Sequence, residues 1–231
     1  MLALHDLVKH YQAGDSGLIK AVDGVSLAVA GGELAVLYGP SGSGKTTLLN
    51  LIAGLSTPDS GRILVDGRDL LAMTRKQVDA YRLHHLGIIS APHDLTPGAR
   101  VLTSASLKLV LGRKRKTNTT LIPMLDRLGL GSRLADNTES LSMGERQRVT
   151  IAMVLAAQPK LVLADEPTGN LDSVRTREVF ALLREVCKEW GATVLLASHD
   201  PEAAGFADQR LELRDGQITE YTSVSLGDER C

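Results

Sequence analysis

The chain has 231 residues, 43% of them hydrophobic and 23% charged, with a formal net charge of −1. That apolar share supports a sizeable core in one large domain or two small ones, and the charge balance gives no bulk electrostatic reason to expect nucleic acid or anionic lipid as a partner. Every apolar run is broken by Gly, Pro or charge short of membrane-spanning length, residues 1–6 lack a basic-then-apolar leader, and Cys187 and Cys231 show no metal or disulfide spacing, so the expectation is a cytoplasmic protein.

Residues 2–8 read as a first strand. Val25, Leu27 and Val29 alternate with small residues, a half-buried strand signal, and Gly31-Gly32 then turns the chain. Residues 34–37 are an apolar run that reads as a buried strand. It leads into Gly39-Pro40-Ser41-Gly42-Ser43-Gly44-Lys45-Thr46, and an apolar segment at helical spacing follows from Thr47. Strand, glycine-rich turn and helix are the context in which G-x-x-x-x-G-K-[ST] holds phosphate. The glycines let successive backbone amides point at one anion, and the helix start adds its own unpaired amides and positive dipole end. Lys45 supplies a cation, and the Thr46 hydroxyl is placed to hold Mg²⁺.

Asp59-Ser60-Gly61 is a second turn, and residues 62–65 a strand that joins the earlier ones in a small antiparallel layer. Tyr11 falls in the loop between the first strands, where it reads either as a surface tyrosine or as an aromatic that stacks on a base. Residues 74–85 carry a helical pattern and residues 86–89 a short buried strand; Pro92 and Pro97-Gly98 mark a boundary. Residues 99–135 are helical in pattern, in two segments separated by the basic run Arg113-Lys114-Arg115-Lys116, which is either a solvated loop or a docking feature. Ser142 and Glu145 have the spacing of a capping box.

Residues 161–164 form an apolar strand that ends in Asp165-Glu166. Two carboxylates there are costly unless a cation or a reaction uses them. Asp165 suits a Mg²⁺ shell, and Glu166 suits a base that orients water. The stripe Val179, Leu182, Leu183, Val186 and Trp190 predicts a helix over residues 173–190, with Trp190 and Cys187 in the core. Residues 193–197 read as another buried strand, ending in Ser198-His199-Asp200, and residues 210–214 open a last hairpin through Asp215-Gly216. Strands alternating with helices argue an α/β fold with a mainly parallel sheet. The phosphate loop, the acidic pair and His199 all follow strands, which is the ligand-binding edge of such a sheet.

The order of four motifs resembles the ATPase domain of ABC transporters over nearly the whole chain. They are the phosphate loop, Leu141-Ser142-Met143-Gly144-Glu145-Arg146-Gln147-Arg148, Leu163-Ala164-Asp165-Glu166-Pro167-Thr168-Gly169-Asn170-Leu171-Asp172, and Ser198-His199-Asp200. Their wording is most similar to the ATPase subunits of lipoprotein-release, macrolide-export and cell-division FtsE–FtsX systems. The resemblance implies a single P-loop NTPase domain over residues 1–231. Its core and antiparallel layer would occupy about 1–90 and 151–231, and a helical subdomain about 91–150. It implies ATP and Mg²⁺ as ligands, ATP hydrolysis as the reaction, a second ATPase subunit, homomeric or heteromeric, and a separate membrane permease docked on the helical subdomain. The chain would then be peripheral on the inner face of the membrane.

The resemblance also assigns roles. Tyr11 would stack on the adenine. Gly39, Pro40, Ser41, Gly42, Ser43, Gly44, Lys45, Thr46 and Thr47 would surround the phosphates, and Thr46 and Asp165 would serve Mg²⁺. Glu166 would polarise the attacking water, His199 would touch the γ-phosphate, and Lys45 would act on the transferred group. Ser142 and Gly144 would act on nucleotide held by the second subunit, and Asp172 would lie at the dimer seam. Two positions depart from the pattern: Ala91 stands where the family has a glutamine, and Met143 where the signature has its first glycine. Both bear on turnover and coupling rather than on ATP binding. They leave open a slow ATPase or a module that gates a partner by binding ATP alone. A chromosome or DNA-repair ATPase lacks support, since there is no heptad insertion and no basic surplus.

Overall fold

The computed structural model describes residues 2–12, 17–90, 95–111 and 117–223. Ala91, Pro92, the basic run 113–116 and Cys231 lie outside them. The first strand, β1 (Leu2–Gln12), runs four residues past the expected end, so Tyr11 sits on a strand and not in a loop. It pairs antiparallel with β2 (Leu18–Val29) on one side and β4 (Ser60–Val65) on the other, and β4 pairs with the two-residue β5 (Arg68–Asp69). The spatial order β2-β1-β4-β5 is the antiparallel layer that the turn signals predict.

The second sheet has six strands in the order β10-β9-β3-β8-β7-β6, comprising β3 (Leu34–Tyr38), β6 (Leu86–Ile89), β7 (Leu161–Asp165), β8 (Thr193–Ala197), β9 (Gln209–Arg214) and β10 (Gln217–Ser223). The five strands from β9 to β6 are parallel, and only β10 runs antiparallel. Both faces are covered, which explains why the strands read as unbroken apolar runs. Leu34, Val36, Val162, Ala164, Val194 and Leu196 face one core. Ala35, Leu37, Leu161, Leu163, Leu195 and Ala197 face the other, which fills the space up to the antiparallel layer.

Helix α1 (Lys45–Ile52) buries Leu48, Leu51 and Ile52 between the two sheets, and α2 (Arg75–His84) starts at a Thr74–Gln77 capping box. On the opposite face α3 (Val101–Leu111), α4 (Thr117–Arg127) and α5 (Met143–Ala156) pack on one another, and α6 (Ser173–Trp190) lies beside the sheet. The Ser142–Glu145 capping box forms as its spacing predicts: Ser142 Oγ accepts from the Glu145 amide, and Glu145 accepts from the Ser142 amide. Cys187 is buried in the α6 stripe, as expected. Trp190 is a correction: it is the last residue of α6, where the helix ends on left-handed Gly191, and it is 38% exposed at that end instead of lying in the core.

Phe180 is the largest side chain with no exposure, and its ring lies 5.8 Å from that of Phe206, which ties α6 to the turn before β9. Phe180→Ala is expected to lower unfolding free energy by about 3–5 kcal/mol, measured by chemical denaturation.

Candidate active site

Three adjacent strands, β3, β8 and β7, end side by side. Leu37 and Asp165 both pair with Ala197, so the loop after β3, the Asp165-Glu166 pair and the Ser198-His199 step emerge at one edge. The first piece is the turn 39–44. Gly39, Gly42 and Gly44 all have positive φ. At Gly39 and Gly44 the reason is also one of space: a Cβ would collide with the carbonyl of Leu213 at the first and of Ala21 at the second. Helix α1 starts on Gly44 with no side-chain cap, so its first amides are left for a ligand.

Lys45 is 8% exposed, and its ammonium donates to the carbonyls of Gly39 at 2.6 Å and Pro40 at 3.0 Å. The loop thus holds its own cation on its carbonyls, at the uncapped start of α1. Thr46 Oγ1 donates to Asp165 Oδ2 at 2.7 Å, joining the first turn of α1 to the end of β7. Glu166 has φ 46°, a conformation that side chains seldom adopt, and is fixed by its amide donating to the Ala197 carbonyl at 2.9 Å. Strain of this kind gathers at functional sites. Its Oε2 lies 2.9 Å from Nδ1 of the exposed His199.

These residues surround one cleft of about 710 Å³, lined by Tyr11, Ile19 and Ala21 at one end and Ser41, Gly42, Gly44, Lys45, Thr46, Thr47, Asp165, Glu166 and His199 along the rest. The structure therefore brings together Tyr11, most of the phosphate loop, Asp165, Glu166 and His199. Gly39, Pro40 and Ser43 shape the loop from behind, and Ser43 is buried, with its carbonyl accepting from the Gly216 amide at 3.1 Å. Ser142, Gly144 and Asp172 do not line the cleft. Ser142 caps α5 and Asp172 caps α6 by accepting from the Arg175 amide at 2.9 Å, a bond that holds the Asp172 carboxyl below the usual range. Gly144 packs tightly on the turn before α6: a Cβ there would lie 2.9 Å from the Asn170 carbonyl. Met143 is 48% exposed at the start of α5.

Ile19 and Ala21 escaped the sequence reading. Ile19 is an exposed apolar residue that meets Tyr11 only through the β1–β2 register, which carries several irregularities. Among the described residues no three His, Cys, Asp or Glu side chains could hold a metal by themselves. The Thr46 hydroxyl and the Asp165 carboxylate are hard oxygen donors, and such a pair suits an ion that takes its remaining ligands from phosphate and water. The arrangement can bind a polyphosphate through its terminal groups, and it places a carboxylate beside the place where those groups would sit.

The family model for ABC transporters matches residues 22–169. The chain is 38% identical over 227 residues to the lipoprotein-releasing system ATP-binding protein LolD of Shewanella frigidimarina, covering 97% of this chain and 95% of that protein. It is also 38% identical over 224 residues to the macrolide export ATP-binding/permease protein MacB of Rhodopirellula baltica, covering 95% of this chain but only 33% of that longer protein. The dimeric post-hydrolysis state of the ATP-binding cassette MJ0796, bound to ADP and Pi, superposes with a TM-score of 0.89 at 30% identity, over 96% of this chain and 98% of that one. Phosphate loop, sheet edge and sequence agree: this chain belongs to the ABC transporter family, as one of its ATP-binding, ATP-hydrolysing subunits.

Proposed function

We propose that the cleft holds MgATP and that Glu166 directs its hydrolysis, in a subunit that drives a permease on a separate chain. The observation that carries this reading is the convergence at one sheet edge of Lys45 in its amide-lined turn, the Thr46–Asp165 hydrogen bond and the Glu166–His199 contact. The triphosphate would lie along the turn 39–44, with the amides at the start of α1 and the Lys45 ammonium on its outer oxygens. Lys45 would exchange its carbonyl partners for phosphate, and those bonds keep it in place beforehand. Thr46 and Asp165 would hold Mg²⁺, which when bound neutralises charge that builds on the phosphates.

Glu166 would accept a hydrogen bond from the attacking water and so align it with the γ-phosphate. His199, already beside Glu166, would steady that carboxylate and donate toward a γ-phosphate oxygen. Tyr11 and Ile19 would form the apolar floor under the base. Ser142 and Gly144, outside this cleft, would complete the site of a second subunit, with Asp172 at the seam; the MJ0796 cassettes are described as dimers. Because the γ-phosphate would be shared between both surfaces, only ATP would favour the closed pair.

The LolD relatives are named as the ATP-binding proteins of lipoprotein-releasing systems, and MacB is named as ATP-binding and permease protein in one chain. We therefore assign this chain a separate permease, contacted through a helical subdomain at about 91–150, and a place at the inner face of the membrane. No helix among the described residues is long and apolar enough to cross a membrane. A second reading, nucleotide-gated assembly with little hydrolysis, draws on the exposed Met143 at the surface offered to the partner's nucleotide. Closed main-chain approach to a phosphate there would favour glycine.

Lys45→Ala is expected to weaken MgATP binding about tenfold to a hundredfold, read by calorimetry. Glu166→Gln should keep ATP binding and lower turnover by about 10²–10⁴; equal turnover in the two proteins removes Glu166 from the mechanism. Ala91→Gln combined with Met143→Gly should raise steady-state turnover, and an unchanged rate would show that the two departures do not limit it.

A further inference from the structure

Tyr11 is 42% exposed where it lines the cleft, so few packing contacts fix the angle of its ring. One contact does: the Lys9 ammonium sits over the ring, 5.4 Å from its centroid. Lys9 is itself restrained, with its side chain only 18% exposed. Asp59, from the turn before β4, accepts from Lys9 Nζ at 2.9 Å and from the His10 amide at 2.7 Å, and its own amide donates to the Val8 carbonyl at 2.8 Å. One aspartate therefore grips three consecutive residues of β1. Its carboxyl is held below the usual range, first by the His10 amide and then by Lys9. Lys9 is not among the residues lining the cleft.

We propose that Lys9, held by Asp59, is a positioning residue that fixes the Tyr11 ring as the platform for the nucleotide base. The inference rests on reading Tyr11 as that platform. A cation over an aromatic face is attracted to the negative face of the ring quadrupole, and because the same ammonium is anchored by the Asp59 carboxylate it acts as a stop for the ring. Holding the ring in its stacking orientation before the base arrives removes an ordering cost from binding. Lys9 acts through Tyr11 and not on phosphate, so its contribution belongs to ligands that carry a base.

The test is calorimetry on the full chain with MgATP and, separately, with magnesium tripolyphosphate, which has the phosphates and no base. Lys9→Met should weaken MgATP binding about twofold to fivefold and leave tripolyphosphate binding unchanged. Lys9→Arg, which keeps the cation, should retain MgATP affinity, and Asp59→Asn should shift it in the direction of Lys9→Met. In a Tyr11→Ala background the Lys9→Met effect should vanish. An equal loss for both ligands would overturn the proposal by making Lys9 a general attractor for phosphate, and so would an unchanged MgATP affinity or an effect that persists without Tyr11. Should Tyr11→Ala alone leave MgATP affinity intact while Lys45→Ala weakens it as expected above, the base platform is wrong and the phosphate site stands.

Discussion

The cleft depends on backbone passing backbone more closely than any side chain would permit. The turn 39–44 is braced on two sides: Gly39 against the Leu213 carbonyl of β9 and Gly44 against the Ala21 carbonyl of β2. Gly216, in the last hairpin, presses on Lys20 and Ala21 and donates its amide to Ser43. The loop is thereby held in its curl by the antiparallel layer and by the β9–β10 hairpin before any ligand is bound. Preorganised amides cost nothing to orient when an anion arrives, which is the main way in which fixed dipoles stabilise charge.

From that constraint the rest of the site follows in order. The loop fixes the start of α1, and the start of α1 fixes Thr46. Thr46 is tied to Asp165, which is the last residue of β7 and sits in register with Ala197 at the end of β8. Glu166 turns out of β7 in a left-handed conformation, and His199 leaves β8 to meet it. Each of these side chains is thus set by the strand or helix beneath it, and those strands are locked by apolar side chains on both faces. The signature helix α5 is coupled to the same edge from outside. Its Gly144 fits against Asn170, four residues beyond Glu166, so a partner that presses on α5 would press on the turn that follows Glu166.

Much of this was legible in the residues. A glycine-rich turn between an apolar strand and an amphipathic helix defines its own structure, and Ser142–Glu145 satisfies orphan amides in a way that spacing alone reveals. That Asp165, Glu166 and His199 share a sheet edge followed from strand ends. That Glu166 and His199 touch did not, because the order β3-β8-β7 is set by crossovers that local pattern does not encode. The residues alone put Tyr11 in a loop, since β1 loses its apolar pattern after Val8; pairing with β2 carries the strand on to Gln12. Ile19 and Lys9 were missed for a related reason: their meaning lies in a register with several irregularities and in Asp59, fifty residues away. Trp190 kept the helical period of its stripe, yet the helix stops beneath it.

In this reading a preformed amide curl with Lys45 would receive a triphosphate while Glu166 faces its far end. The most direct measurement is a crystal structure of the full chain with Mg²⁺ and a non-hydrolysable ATP analogue. Phosphate oxygens are expected on the amides of residues 41–46, the metal beside Thr46 and Asp165, and Glu166 next to a water in line with the terminal phosphate. A triphosphate bound elsewhere, or Lys45 still on the carbonyls of Gly39 and Pro40 with nucleotide present, would contradict it.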